Sequence, residues 1–248
     1  MPMAAQNRLQ SRLMNTGFLG RLLLVFAPRW FESRLPEGTA MADQETSGKY
    51  QMTISRMTID KLGIKLYDKV SAVLAELIAN AYDADATEVT VRLPLGTYLA
   101  RKEDGVVRDQ GFEIAITDNG HGMMPQEINP LYLRVGVDRR RRSQGDRSRE
   151  RGRPVMGRKG IGKLAPFGIC RQMEVISAGG EPGQPEYEIA HLILGYEGIA
   201  SEETDAPYCP EVGQRDGALT DRRGTTVILR DFDRRRVPDR ETLHRQLA

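Results

Sequence analysis

The 248-residue chain carries 36 Lys+Arg against 34 Asp+Glu, with 40% hydrophobic residues, 6% aromatics and two cysteines. That length and apolar content supply the core of one domain, with or without appendages, and leave little room for two full-sized ones. Near-cancelling charge excludes a nucleic-acid coat or an acidic tail as the overall character. Cys170 and Cys209 have no second thiol or His at ligand spacing, so they support neither a disulfide scaffold nor a zinc site and fit a reducing, cytoplasmic setting.

Residues 1 to 31 hold Arg8, Arg12, Arg21 and Arg29 and no acid, with apolar residues from Phe18 to Phe26 gathered around Arg21. Four readings fit: a targeting peptide or basic amphipathic helix, a poorly ordered extension, sequence ahead of a true start at Met41, or an arm that docks on a second copy. The apolar run Leu22 to Ala27 has six residues, where a membrane span needs about twenty, so no span is expected.

From Tyr50 the pattern becomes that of a compact α/β domain. Ile59 to Leu66 reads as a connector and Tyr67 to Ala84 as a strong helix. Thr87 to Leu93 and Phe112 to Asp118 alternate apolar and polar residues as half-buried strands do and are expected to pair; Asp104-Gly105 between them is a hairpin turn signal. A helix is predicted from Pro125 to Leu133, then an Arg- and Gly-rich loop to about Arg158. A short helix should start at Gly160 and be kinked or ended by Pro166. Gln172 to Ser177, Glu186 to Leu194 and Thr225 to Asp231 read as further strands, with a loop excursion between 197 and 223.

On a helical wheel of Tyr67 to Ala84, Val70, Leu74, Leu77 and Ala81 form the core stripe, while Glu76, Asn80 and Asp83 share a face roughly opposite, at about 240°, 280° and 220° from Val70. A solvated face usually carries Lys, Arg and Glu. Asn and Asp weaken a helix interior, whereas a carboxylate one turn from a carboxamide suits a partly hydrated Mg²⁺ beside a base. Asp118, at a strand end, continues the line of Ile114 and Ile116 before Asn119-Gly120-His121-Gly122-Met123. It reads either as an Asx turn or as an inward carboxylate awaiting a donor such as an exocyclic amine. Gly157 to Lys163, with Gly160 and Gly162, offers backbone N–H groups ahead of a helix, a setting for a phosphate chain. It is not a P-loop, because only two residues separate Gly157 from Gly160.

Glu76 to Ala84, Asp118 to Met123, Gly157 to Lys163 and Arg223 to Val227, in that order, resemble the nucleotide-binding motifs of the GHKL ATPases: gyrase B, the ninety-kilodalton heat-shock chaperone, histidine kinases and MutL. The likeness covers roughly residues 50 to 235. It implies an α/β two-layer sandwich, a mixed β-sheet with helices on one face (the Bergerat-type fold), over residues 46–248, with 1–45 as the N-terminal extension and an ATP lid at about 134–163. It further implies Glu76 as general base, Asn80 as Mg²⁺ ligand and Asp118 as acceptor of the adenine amine. Gly120, Gly122 and Met123 would border the base, Thr225 would support Asp118, and Asp83 would lie near the pocket. The amides of Gly157, Gly160, Ile161, Gly162 and Lys163 would wrap the phosphates of ATP.

Glu76 argues for hydrolysis over transfer to a histidine. The run Ala84-Asp85-Ala86-Thr87 looks like MutL and MORC-like proteins, whereas Lys159 to Leu164 stands where MutL has Arg-Gly-Glu-Ala-Leu, so bacterial MORC- or chaperone-like ATPases are the nearer resemblance. Superfamily members usually take a γ-phosphate Lys or Arg from a following transducer domain, so hydrolysis by this chain alone is expected to be slow, with homodimerisation on nucleotide binding. Eight arginines between 139 and 153, Arg139, Arg140, Arg141 and Arg142 among them, either contact nucleic-acid phosphates or keep the lid solvated.

Overall fold

The computed structural model describes residues 21–26, 68–135, 146–157, 162–200 and 208–247. Ten strands occur among them: β1 Arg21–Phe26, β2 Glu88–Leu93, β3 Ala100–Glu103, β4 Val106–Asp109, β5 Ile114–Asp118, β6 Cys170–Ala178, β7 Tyr187–Gly195, β8 Glu211–Val212, β9 Leu219–Thr220 and β10 Gly224–Phe232. Helices are α1 Val70–Asp83, α2 Pro125–Glu127, α3 Tyr196–Ala200 and α4 Arg240–Leu247.

An eight-stranded sheet runs in the order β1-β2-β5-β10-β6-β7-β8, with β9 also on β7. β1 pairs with β2 in parallel, and the other pairs are antiparallel, so the sheet is mixed. The expected pairing of β2 with β5 is present, with Val89 opposite Asp118. Residues Arg21–Phe26 correct one expectation. They form an edge strand, not part of an amphipathic helix. The remainder of 1–45 and the connector Ile59 to Leu66 lie outside the described residues.

One sheet face carries the core. Val89 and Val91 of β2, Ile114 and Ile116 of β5, Val227 and Leu229 of β10, Met173 and Val175 of β6, and Leu192 and Leu194 of β7 meet Val70, Leu74, Leu77 and Ala81 of α1 and Leu243 of α4 in a single cluster. The period of two in each strand meets the helical stripe of α1, which is why the helices gather on that face. The opposite face is mixed: Ala178, Tyr187 and Ile189, with Ile176 against them, form a smaller apolar cluster beside polar contacts. Thr117 and Thr226 hydroxyls lie 3.1 Å apart there, and Arg230 pairs with both Glu113 and Glu174. His191 accepts the Arg215 N–H at Nδ1, 3.1 Å away, which leaves Nε2 to donate to Glu174 at 2.7 Å.

α1 stops by backbone geometry. Asp85 adopts φ 65, its N–H reaches the Tyr82 carbonyl at 3.0 Å and the Ala86 N–H reaches the Ala81 carbonyl at 3.1 Å. This is the paired closure that usually employs glycine, and Asp is among the few residues that tolerate the left-handed region. The connection between β2 and β5 is more than a turn: β3 and β4 form their own two-stranded sheet around Asp104 (φ 51) and Gly105 (φ 84).

Two predicted helices differ in form. Pro125 to Leu133 divides into α2 and a wider π turn over Ile128–Tyr132. Gly162–Gly168 is a 3₁₀ helix with Pro166 inside it. Pro166 withholds one N–H from this short run, and the segment nevertheless continues to Gly168. The excursion after residue 197 contributes α3 and the short strands β8 and β9, which pair with β7.

Candidate nucleotide-binding site

Glu76, Asn80 and Asp83 stand on α1, but their face is not a solvated one: Glu76 and Asn80 are half-buried and Asp83 is buried. The 3₁₀ helix packs on α1 and brings Gly162 against the Glu76 carboxylate. A Cβ at Gly162 would meet Glu76 Oε2, so a side chain here would displace the Glu76 carboxylate from its present position. Two motifs some eighty residues apart in sequence thus meet at one carboxylate.

Asp83 serves the backbone. Its Oδ1 accepts the Met156 N–H at 2.7 Å and its Oδ2 accepts the Gly157 N–H at 2.9 Å. Asp85 does likewise two residues on, taking the Glu150 N–H at 2.7 Å. Glu150 in turn pairs with Arg223 at 2.5 Å, and Arg223 also donates to the Gly180 carbonyl at 3.1 Å. Arg149 meets Glu127 at 2.8 Å. Residues 146–157 are therefore held from α1, α2 and the start of β10 together. The Arg223 pairing lowers the Glu150 carboxyl below its ordinary range.

Asp118 ends β5 with its carboxyl among two backbone donors: Gly120 N–H at 2.8 Å and Thr225 N–H from the neighbouring strand. The first bond is the Asx turn, and the second ties the carboxyl to the neighbouring strand. Residue 118 keeps some solvent contact, while the carboxyl itself is enclosed. Burial outweighs the two donors and raises its pKa from 3.8 to about 6. The next residues are fixed tightly. Asn119 Oδ1 accepts the Thr87 and Glu88 N–H groups, each at 2.9 Å, and His121 N–H reaches the Ala84 carbonyl at 2.8 Å. Gly122 has φ 62 and presses on the Ala178 carbonyl so closely that a side chain has no place. The Met123 N–H donates to Ser177 Oγ at 3.0 Å, and Ser177 lies 2.8 Å from the Thr225 hydroxyl.

The Lys163 side chain turns to the π turn. Its ammonium donates to the carbonyls of Leu131, Tyr132 and Arg134 at 3.3, 2.5 and 2.9 Å and lies over the Tyr132 ring. It closes the open carbonyl end of the π turn. Gly160, Ile161 and Arg139 to Arg142 lie outside the described residues.

Ser177, Asp85, Glu150 and Gly180 join this site without a sequence signal of their own. Ser177 sits in an ordinary strand alternation, and Asp85 is marked only as a second acid two residues after Asp83.

The donor set suits a nucleotide with a hard cation. Among the described residues no three His, Cys, Asp or Glu side chains gather to hold a metal. A cation bound here would rest on the Asn80 carboxamide, water and phosphate oxygens, as Mg²⁺ does. The glycine at 162 leaves the space beside Glu76 clear of side-chain carbon.

Residues 67–205 match the model of the histidine kinase-, DNA gyrase B- and HSP90-like ATPase family. The chain belongs to this family. Membership carries ATP binding with it. The ATPase domain is 36% identical over 199 residues to the putative type II restriction enzyme HgiDII of Herpetosiphon aurantiacus, covering 80% of this chain and 29% of that protein. It is 45% identical over 69 residues to the DNA mismatch repair protein MutL of Janthinobacterium sp. (strain Marseille), covering 28% of this chain and 9% of MutL. The MutL of Herminiimonas arsenicoxydans is 44% identical over 69 residues, again 28% of this chain and 9% of that protein. The chain thus spans under a third of the length of these relatives. Among the described residues no helix is long and apolar enough to cross a membrane.

Proposed function

We propose that this ATPase domain binds Mg·ATP and hydrolyses it slowly, with nucleotide binding closing the lid and joining two copies. The observation that carries the reading is the Glu76 carboxylate lying against Gly162, where the glycine segment enters the site. Asp118 accepts the adenine amine, with Thr225 holding its carboxyl and Gly120, Gly122 and Met123 bordering the base. The amides of Gly160, Ile161, Gly162 and Lys163 are assigned to the phosphates, while the Gly157 N–H is taken by Asp83 Oδ2 and anchors the segment instead. Glu76 takes the proton of the attacking water, and Asn80 holds the cation. Mg²⁺, when bound, neutralises charge on the phosphate oxygens. Phosphoryl transfer asks little covalent chemistry of a protein, so one base, one metal ligand and fixed donors suffice.

The Lys163 ammonium is committed to three carbonyls and lends no charge to the γ-phosphate. That supports slow turnover by these residues alone, and equally a nucleotide-dependent binding module with no useful turnover. Glu76→Ala separates the two. A hydrolase loses its steady-state phosphate release and keeps its ATP affinity, whereas a pure switch has no release to lose. Asn80→Ala should abolish the dependence of binding on Mg²⁺. A histidine kinase is disfavoured by Glu76.

Residues 46–248 form the ATP-binding unit of this reading, with the lid at about 134–163 and residues 1–45 as an extension or dimer arm. The third motif favours a MORC- or chaperone-like role over mismatch repair, and the two-cysteine composition supports a cytoplasmic location. Nucleic acid is a second partner, reached through Arg139, Arg140, Arg141 and Arg142. The restriction enzyme and MutL among the relatives favour that contact.

A further inference from the structure

We propose that Glu150 and Arg223 are positioning residues for the bound nucleotide: their ion pair holds residues 146–157 as one unit against the base end of the site and sets how long the nucleotide stays. The inference deepens the ATP reading given above and rests on it.

Residues 146–157 carry a small fold of their own. The Ser148 N–H meets the Arg153 carbonyl at 2.8 Å, and the Arg153 N–H returns to Ser148 Oγ at 2.8 Å. The Val155 N–H reaches the Asp146 carbonyl at 3.0 Å, and Arg147 and Pro154 pair in a backbone bridge. Yet neither apolar cluster, nor the half-buried apolar residues packed on them, includes a side chain from this segment. It is docked by polar contacts instead. A unit held that way opens at a lower free energy than the core, because water can replace each of its contacts.

Most of those contacts reach α1 and its end. Asp85 and Asp83 take the N–H groups of Glu150, Met156 and Gly157, and the Arg153 guanidinium donates to the Ala86 carbonyl at 2.9 Å while lying over the Tyr82 ring. The Glu150–Arg223 pair alone among them leads to the residues assigned to the base. Arg223 precedes Gly224, whose backbone nitrogen lies against Gly122, and it donates to the Gly180 carbonyl at 3.1 Å, beside Gly179, which lies against the Met123 backbone. One guanidinium therefore ties together the two strand ends that flank Gly122 and Met123.

Glu150 is set in place for this pair. Its N–H is fixed by Asp85, which is 4% exposed, and both its oxygens meet the guanidinium, Oε1 to Nη1 at 2.5 Å and Oε2 to Nη2 at 3.3 Å. The two side chains are only 18% and 30% exposed. A bidentate pair on a fixed backbone is stronger than an ordinary surface pair, which must first immobilise two long side chains.

The test uses the whole 248-residue chain, loaded with a fluorescent ATP analogue and Mg²⁺ and chased with excess ATP in stopped flow. Glu150→Gln and Arg223→Gln should each release the analogue about tenfold faster, as expected for one lost charge-assisted contact, with association within about twofold of the parent. The double variant should also release about tenfold faster and not about a hundredfold, because both substitutions remove the same contact. Arg223→Lys, which keeps the charge without the bidentate geometry, should fall between. In the absence of nucleotide, amides 150, 156 and 157 should exchange faster with deuterium in both single variants, while the amides of β5 and β10 keep parent rates. The proposal is overturned if the double variant multiplies the two effects, if association slows as much as release quickens, or if amides 156 and 157 exchange at the parent rate. A parent that binds no analogue overturns the nucleotide reading and this proposal with it, whereas a parent that binds while its single variants release at the parent rate overturns this proposal alone.

Discussion

Gly162 lies against the carboxylate of Glu76, closely enough that a methyl group at position 162 would occupy the space of Oε2. The start of the 3₁₀ helix thereby meets the middle of α1 at this carboxylate. Gly162→Ala should push the Glu76 carboxylate off its line and lower ATP turnover about a hundredfold while leaving binding within a few-fold, the range expected for a displaced general base. In the Glu76→Ala background, which removes the obstructing oxygens, the same substitution should cost no melting temperature. A matched pair of thermal melts reads this coupling.

Asp118 gives the adenine contact a pH signature. Its carboxyl must be ionised to accept the amine, and its pKa lies near 6. Adenosine affinity should be level above pH 7 and fall by about tenfold per unit below 6, because binding then competes with a proton. Calorimetry with adenosine checks this, since the free nucleoside does not titrate in that window.

The same carboxyl weakens the empty fold. Raised from 3.8 to about 6, it binds its proton more tightly folded than unfolded. Its contribution to stability is therefore greatest below 3.8, falls across that window and is lost above 6. Asp118→Asn should abolish ATP binding yet raise stability at pH 7.5, by on the order of 3 kcal/mol at most. Urea melts at pH 4 and pH 7.5 should show the gain at the higher pH alone.

Asp83 holds Met156 and Gly157 by their N–H groups. Asp83→Ala leaves both donors without that acceptor, a loss of about 1–3 kcal/mol locally. ATP affinity should fall more than tenfold, and amides 156 and 157 should exchange faster with deuterium. Asp83→Asn, which keeps one acceptor oxygen, should recover part of both.

Ser177 links Met123 to Thr225. Ser177→Ala should lower stability by about 1–2 kcal/mol, since a buried N–H loses its acceptor. The loss of adenosine affinity should exceed the loss of phosphate-dependent affinity, because Met123 borders the base and not the phosphates. Comparing adenosine with ATP distinguishes this from general loosening.

The sequence by itself determined the core and marked the candidate site residues. The stripe Val70, Leu74, Leu77, Ala81 and the alternation in β2, β5 and β10 follow from local periodicity, which any chain of this pattern must satisfy to bury its apolar groups. Asn80 and Asp118 stand out because Asn weakens a helix interior and an inward carboxylate needs a donor, whereas Glu76, a good helix former, stands out only through the motif resemblance. The Asp104-Gly105 turn is equally local. What no window of sequence contains is the closure between distant segments. Only the tertiary structure decides that Asp83 and Asp85 grip residues 150 to 157, that Lys163 turns to three carbonyls, that Ser177 stands behind Asp118, and that β1 takes the sheet edge. Each depends on a hydrogen-bonding partner brought near by the sheet order, and a backbone N–H or carbonyl carries no residue identity from which that partnership could be read.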